Sequence, residues 1–136
     1  MKFQTMTTAF ALLTLVGCKN IFEDNDTTLD GSTPFNTVES PAANNTYRAS
    51  EPLKLTSNFA DKDGFEVIDI KMVRLATDLK TSASVVDFKK HPKVNPYRLD
   101  TTFAANTFAP GTYQLSIRSV DTRKNEGTTQ VTFTVQ

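Results

Sequence analysis

The segment Pro110-Gly111-Thr112-Tyr113-Gln114-Leu115-Ser116-Ile117 carries the pattern that decides the fold. After its Pro-Gly turn, the apolar side chains Tyr113, Leu115 and Ile117 alternate with polar ones. A period of two places one set of side chains in a core and the other set in water. The segment therefore predicts a half-buried β-strand that begins directly after a turn.

Four further segments on either side of this strand show the same alternation, at 53–59, 68–72, 97–103 and 131–135. Two weaker strands are predicted near 35–39 and 84–88. Turn signals such as Asp63-Gly64 and Asn95-Pro96 separate them, and no stretch shows a sustained helical period. Seven strands in roughly 100 residues predict an all-β chain folded as a single β-sandwich.

Several passages resemble immunoglobulin-like and fibronectin-III-like domains. Residues 110–117 resemble the start of strand F, where Tyr113 would form a tyrosine corner through a hydrogen bond to upstream backbone. Residues 59–68 resemble a B–C passage with an Asp-rich turn, and residues 119–135 resemble an F–G hairpin. The chain resembles small Ig-like lipoproteins of Bacteroidota, a domain family without assigned function. The resemblance implies an Ig-like sandwich over 34–136 and implies no activity.

The N-terminus has the features of an export signal. Lys2 precedes an apolar run at 9–16, which is too short to span a bilayer, so residues 1–17 are interpreted as a signal peptide. The run ends in Leu15-Val16-Gly17-Cys18, which resembles the bacterial lipobox and contains the only cysteine. The resemblance implies cleavage before Cys18 and lipidation of its thiol, including palmitate. The alternative is an ordinary signal followed by a chance cysteine.

The residues after the cysteine predict a tether and a location. Residues 18–33 are polar and acidic, which predicts a flexible linker ahead of the domain. This acidic run resembles the surface-export signal of Bacteroidota lipoproteins, although a plain linker explains it as well. Lys19 in place of Asp favours the outer membrane by resemblance to lipoprotein sorting. We expect a lipid-anchored protein of the outer membrane that faces the periplasm or the cell surface.

Three aspartates form the best candidate for a metal site. In an Ig-like fold the B–C and F–G loops meet at one end, which would bring together Asp61, Asp63 and Asp121. Ca²⁺ takes six to eight oxygen ligands, and carboxylates supply them. The alternative is that these side chains accept backbone N–H bonds and shape turns. Because the 61–64 spacing is not that of a calcium loop, the second interpretation is favoured and no cofactor is expected.

Other polar candidates are weaker. Lys89, Lys90, Lys93 and Arg98 could meet an anionic glycan or a lipid headgroup, or could form a solvated surface. His91 is the only histidine, which argues against the usual zinc and haem sites and is typical of a solvated loop. Two Asp-Thr-Thr triplets resemble the O-glycosylation motif of Bacteroidota. Their candidate acceptors are Thr27 and Thr101.

The composition and the residue pattern argue against two classes of function, nucleic-acid binding and catalysis. Lys plus Arg and Asp plus Glu both number 15, so a net charge of zero gives no basis for nucleic-acid binding. No residue set predicts catalysis, and we do not expect an enzyme. The first hypothesis is a non-catalytic module that binds a protein or glycan partner. The alternative is a structural spacer or accessory subunit of an envelope complex, without a ligand of its own.

Overall fold

The strands form in the segments where polar and apolar residues alternate. The computed structural model describes residues 29–76 and 82–136, so the predicted signal peptide, Cys18 and Thr27 lie outside the described residues. The strands are β1 (Phe35–Ser40), β2 (Thr46–Tyr47), β3 (Leu53–Ala60), β4 (Phe65–Leu75), β5 (Ser82–Lys90), β6 (Tyr97–Phe103), β7 (Gly111–Asp121) and β8 (Glu126–Val135).

The strands form two sheets that pack face to face. One sheet has the order β1-β3-β6, and the other has the order β2-β8-β7-β4-β5. All strand pairs are antiparallel except β2 with β8, which is parallel. The prediction of an all-β, Ig-like sandwich is confirmed. Within the described ranges no helix is long and apolar enough to cross a membrane.

The core consists of the inward-facing residues of both sheets. Along β7, Tyr113, Leu115 and Ile117 are buried, while the residues between them are partly exposed. Leu55 and Phe59 of β3 face them from the other sheet and are buried as well. Each apolar side chain of this size stabilises the fold by about 1.5–3 kcal/mol when it leaves water.

The predicted tyrosine corner is present. The Tyr113 hydroxyl donates a hydrogen bond of 2.6 Å to the carbonyl oxygen of Ala109, four residues upstream. The Tyr113 ring stacks on Phe133 with a centroid distance of 5.6 Å and meets Phe108 edge-on at 5.4 Å. Burial raises the pKa of the Tyr113 phenol. The side chain therefore closes one end of the core while its hydroxyl keeps a partner.

The eighth strand, β2, was not predicted. It has only two residues, too few to show a period, and it pairs in parallel with Thr134 and Val135 of β8. Its Tyr47 hydroxyl accepts a hydrogen bond of 2.8 Å from the Ala42 N–H, and its ring meets Phe133 edge-on. These contacts, rather than any pattern of alternation, hold β2 against the sandwich.

The register places most of the predicted polar candidates at one end of the sandwich. Phe35 pairs with Ala60, and Phe65 pairs with Asp121, so the start of β1 lies at the same end as the β3–β4 and β7–β8 turns. We call this end the tether end, because the predicted tether leads into it. It comprises residues 29–35, 60–66, 89–97 and 120–127.

Candidate functional site

The β3–β4 and β7–β8 turns meet at the tether end, as the Ig-like resemblance implied. The Thr122 hydroxyl of one turn donates a hydrogen bond of 2.9 Å to the Asp63 carbonyl of the other. Two of the three predicted aspartates, Asp63 and Asp121, come together there with carboxylate oxygens within 4.8 Å of one another and of Asp30.

The third member of the cluster differs from the prediction. Asp30, in the segment predicted to be a flexible tether, takes the place expected for Asp61. The Asp30 carboxylate accepts hydrogen bonds of 2.9 Å from the Ser32 N–H and the Asn125 side-chain amide. Contacts with the sandwich therefore begin ahead of the predicted boundary at residue 34.

Asp61 has a local role instead. Its Oδ1 accepts a hydrogen bond of 2.9 Å from the Asp63 N–H, which shapes the β3–β4 turn. Its backbone carbonyl accepts a hydrogen bond from the Asn95 side-chain amide, which connects this turn to the β5–β6 loop. Burial raises the pKa of the Asp61 carboxyl.

Asp121 is fully buried and organises the β7–β8 turn. Its Oδ1 accepts hydrogen bonds from the N–H groups of Arg123 and Asn125, both at 2.8 Å. Its Oδ2 accepts a third bond of 2.8 Å from the Asn125 side-chain amide. The bonds to Oδ1 use donors that a turn otherwise leaves without partners, which is the turn-shaping role of aspartate.

Two cations of the protein itself lie among the carboxylates. The Arg123 Nε is 3.1 Å from Asp63 Oδ1 and 3.9 Å from Asp30 Oδ2, and the Arg123 side chain is only 7% exposed. The Lys62 Nζ is 2.5 Å from Asp30 Oδ2, and Lys62 with the Ser32 N–H lowers the pKa of Asp30 to about 2.

The cluster therefore fits a metal ion poorly. Asp63 Oδ2 is a buried atom without a hydrogen bond, which is the one feature that would suit an ion. Arg123 already supplies the charge that a cation would bring, and Asp121 uses its oxygens on the turn. Since Ca²⁺ needs six to eight oxygens, this donor set suits a structural ion-pair cluster better than a calcium site.

The predicted anion-binding residues do not share one open surface. The Lys89 Nζ is 3.0 Å from Asp69, on β4 of the five-stranded sheet. Arg98 lies in the three-stranded sheet, where both of its terminal nitrogens bond to the Glu39 carboxylate at 3.0 and 2.9 Å. These two cations are therefore already paired with carboxylates of the protein.

The remaining lysines of this group and the histidine lie close together at the tether end. The Lys90 ammonium lies 5.6 Å from the centre of the Phe88 ring, a cation–π distance. Lys93 is exposed in the β5–β6 loop. The exposed His91 ring is fixed by a hydrogen bond of 2.8 Å between Nδ1 and the Glu66 carbonyl oxygen, which matches the loop role expected for it.

Thr101 lies within β6 at a position where side chains point inward. It pairs with Leu55 and shares its face of the strand with the buried Leu99, whereas Thr102 points outward and is exposed. A transferase has poorer access to such a residue than to one in an extended segment. The other acceptor, Thr27, and the lipidation candidate, Cys18, lie outside the described residues.

An apolar groove at the tether end was not predicted. It has a volume of about 200 Å³ and lies between the start of β1 and the start of β6. Phe35, Pro96 and Tyr97 provide its apolar walls, and Asn58 and Arg98 provide polar ones. The Phe35 side chain is 61% exposed, because β1 begins at the rim of the sandwich.

Comparison with known proteins is informative about the fold only. No protein-family model matches the chain. No curated protein matches it either. Among solved structures it is similar to a superoxide reductase (neelaredoxin) from Ignicoccus hospitalis, with a TM-score of 0.53 and 12% identity over 77% of this chain and 81% of that chain.

Two further solved structures are similar. OgpA from Akkermansia muciniphila has a TM-score of 0.51 and 8% identity, over 79% of this chain and 30% of its own. Fibronectin(III)-like modules of CbhA from Clostridium thermocellum have a TM-score of 0.48 and 16% identity, over 74% of this chain and 94% of the module. At these identities the similarity concerns the fold and does not transfer an activity.

Proposed function

We propose that this chain is a lipoprotein of the outer membrane or cell surface whose Ig-like sandwich is a non-catalytic binding module for a protein or glycan partner. The observation that carries the proposal is the sequence Leu15-Val16-Gly17-Cys18. It places the only cysteine at the position that the lipobox requires, directly after a signal-like apolar run. The similarity of the chain to small Ig-like lipoproteins of Bacteroidota supports the same assignment.

The surface charges support a non-catalytic role. Arg118 bonds to both Asp69 and Glu126, and Arg98 bonds to Glu39. The Arg118 pairs join neighbouring strands, and the Arg98–Glu39 pair joins β6 to β1 across β3. Charged groups held in such pairs are less available for catalysis. Exposed pairs of this kind contribute only about 0–1 kcal/mol each, so they keep the surface solvated more than they stabilise the fold.

A free sheet edge supports contact with a second protein. Among residues 29–76 and 82–136, β5 is the last strand of its sheet and has nine residues, so its outer edge offers backbone groups that no other described strand pairs with. Val85 in the middle of β5 is 39% exposed. The same edge also favours the alternative, an accessory subunit that is permanently paired within an envelope complex.

Affinity capture of the full-length lipidated protein from detergent-solubilised outer membranes tests the proposal. A partner recovered with the intact protein, and lost with Val85→Lys but not with Thr102→Lys, supports a binding surface at β5. Thr102 is a matched control because it is exposed on β6, in the other sheet.

The capture also separates the two functions. A stable complex of fixed stoichiometry supports the accessory subunit. Recovery of the protein alone, together with binding on a glycan array, supports the free module. Recovery alone without glycan binding contradicts the proposed binding function.

A further inference from the structure

The exposed apolar side chains of this protein are concentrated at the tether end. In the part of the chain that the structure describes, four large hydrophobic side chains are exposed. Three of them, Leu29 (67%), Phe35 (61%) and Val94 (63%), lie at the tether end. Phe35 lines the apolar groove, and Val94 lies two residues before Pro96 of its wall. Single exposed apolar residues are ordinary on a soluble surface, whereas several at one end of a domain, beside a groove, indicate a contact site.

The charged residues at the same end are equal in number, six acidic and six basic, but they differ in how they are engaged. Four acidic groups are held in ion pairs within the protein: Asp30, Asp63, Glu66 and Glu126. The other two, Asp61 and Asp121, accept backbone N–H bonds of the turns. Lys90 and Lys93 take part in no ion pair within residues 29–76 and 82–136, and both lie within four residues of Val94 in the sequence.

The chain geometry indicates which surface this end would meet. Ten residues lie between Cys18 and Leu29, and an extended chain over these eleven steps spans at most about 40 Å. A lipid on Cys18 would therefore keep the tether end near the bilayer. The opposite end lies farther away by the length of β4, whose 11 residues span about 35 Å.

We propose that the tether end docks on the surface of a bilayer that contains anionic lipids. Leu29, Phe35 and Val94 enter the headgroup region, and the ammonium groups of Lys90 and Lys93 meet lipid phosphates. Amphipathic surfaces bind membranes through apolar area together with cationic side chains, and a lipid anchor gains from such a second contact. The inference rests on the proposed lipidation of Cys18. It leaves the β5 edge and the opposite end free for a partner.

A single introduced tryptophan tests the docking, because the chain contains none. The full lipidated protein carrying Val94→Trp is reconstituted in phosphatidylethanolamine–phosphatidylglycerol vesicles with brominated acyl chains. The indole emission should shift to the blue and be quenched several-fold more strongly than in unbrominated vesicles. The matched variant Ala105→Trp places an exposed indole at the opposite end and should show neither effect. Equal emission from both variants would overturn the proposal.

The lysines supply a second measurement. In the Val94→Trp background, Lys90→Gln and Lys93→Gln should each lower the ratio of docked to undocked protein about fivefold, which is the effect of one lysine near an anionic surface. Lys71→Gln, on an exposed position of β4, should leave the ratio unchanged. A loss as large with Lys71→Gln as with Lys93→Gln contradicts the assigned orientation.

Flotation separates failure of the docking from failure of the lipoprotein assignment. A protein that does not float with the vesicles and takes no palmitate label contradicts the lipid anchor itself. A protein that floats but keeps an unquenched indole at residue 94 contradicts the docking alone. This second result is also expected if the tether end contacts a protein partner instead of lipid.

Discussion

Replacement of Tyr113 by Phe removes one hydroxyl from the core and tests the tyrosine corner directly. The hydroxyl donates to the Ala109 carbonyl at 2.6 Å. Ala109 is exposed, so water can bond to the carbonyl that loses its partner. The cost is therefore the net contribution of one hydrogen bond, about 1 kcal/mol of unfolding free energy, and not the larger penalty of a buried group left unpaired.

Truncation to alanine should cost more. Tyr113→Ala also removes the stack on Phe133 and the edge contact with Phe108, and it leaves a cavity in the core. Aromatic truncations in cores cost about 3–5 kcal/mol. Urea denaturation measures the unfolding free energy of both variants. The slope of this free energy against urea concentration should stay nearly the same, because the surface area exposed on unfolding hardly changes.

Two controls make the comparison decisive. Tyr97→Phe makes the same chemical change where the hydroxyl has no hydrogen bond within the described chain, and should cost less than about 0.5 kcal/mol. Gln114→Ala alters the outward face of β7 and should have an equally small effect. A cost for Tyr113→Phe no larger than for Tyr97→Phe refutes the stabilising hydrogen bond. A cost for Gln114→Ala as large as for Tyr113→Ala refutes the assigned face of β7.

Four further predictions concern the anchor and the carboxylate cluster. Cys18→Ala should abolish membrane attachment and palmitate labelling in fractionated cells, and label on the variant would count against lipidation. EDTA should leave the thermal midpoint unchanged, whereas a drop of many degrees would indicate a bound ion. Asp121→Ala should lower the unfolding free energy in urea by about 2–5 kcal/mol, because two backbone N–H groups lose their acceptor, while Asp61→Ala should cost clearly less. The Asp30 pKa of about 2 lies below its ordinary value of 3.8, so its contribution to stability is present above pH 3.8 and is lost as the pH falls through 2. Carboxyl NMR titration should find this low pKa in the native chain and its rise in Lys62→Gln.

The fold was predictable because the alternation of polar and apolar residues can be recognised within each short segment of sequence. Tyr113, Leu115 and Ile117 alternate with polar residues, and the same period identifies β3, β4, β6 and β8, whereas the signal for β1 and β5 was weaker. The position of one glycine could not be explained from the local sequence. Gly127 belongs to the predicted F–G hairpin of residues 119–135 and lies within β8, where an added Cβ would be 2.4 Å from the Pro34 carbonyl oxygen. The close passage of the incoming chain requires glycine there, and no local pattern reveals it.

The membership of the carboxylate cluster could not be predicted for a related reason. Asp61 was included because the B–C and F–G loops meet at one end of an Ig-like fold, but its carboxylate accepts the Asp63 N–H within its own turn. Asp30 comes instead from a segment that contacts Asn125, 95 residues away.

The role of the cluster depends on the cation that accompanies it. Carboxylates brought within 4.8 Å of one another repel strongly unless a positive charge lies between them, and in a buried position that charge must be well coordinated. Arg123 meets this need from the β7–β8 turn itself, so the turn supplies both Asp121 and the cation nearest Asp63. Replacement of Arg123 by a neutral residue would remove the positive charge nearest Asp63. Arg123 therefore supplies positive charge among the aspartates. Together with the Thr122–Asp63 and Asn125–Asp30 hydrogen bonds, it connects the β3–β4 turn and the incoming chain to the β7–β8 turn.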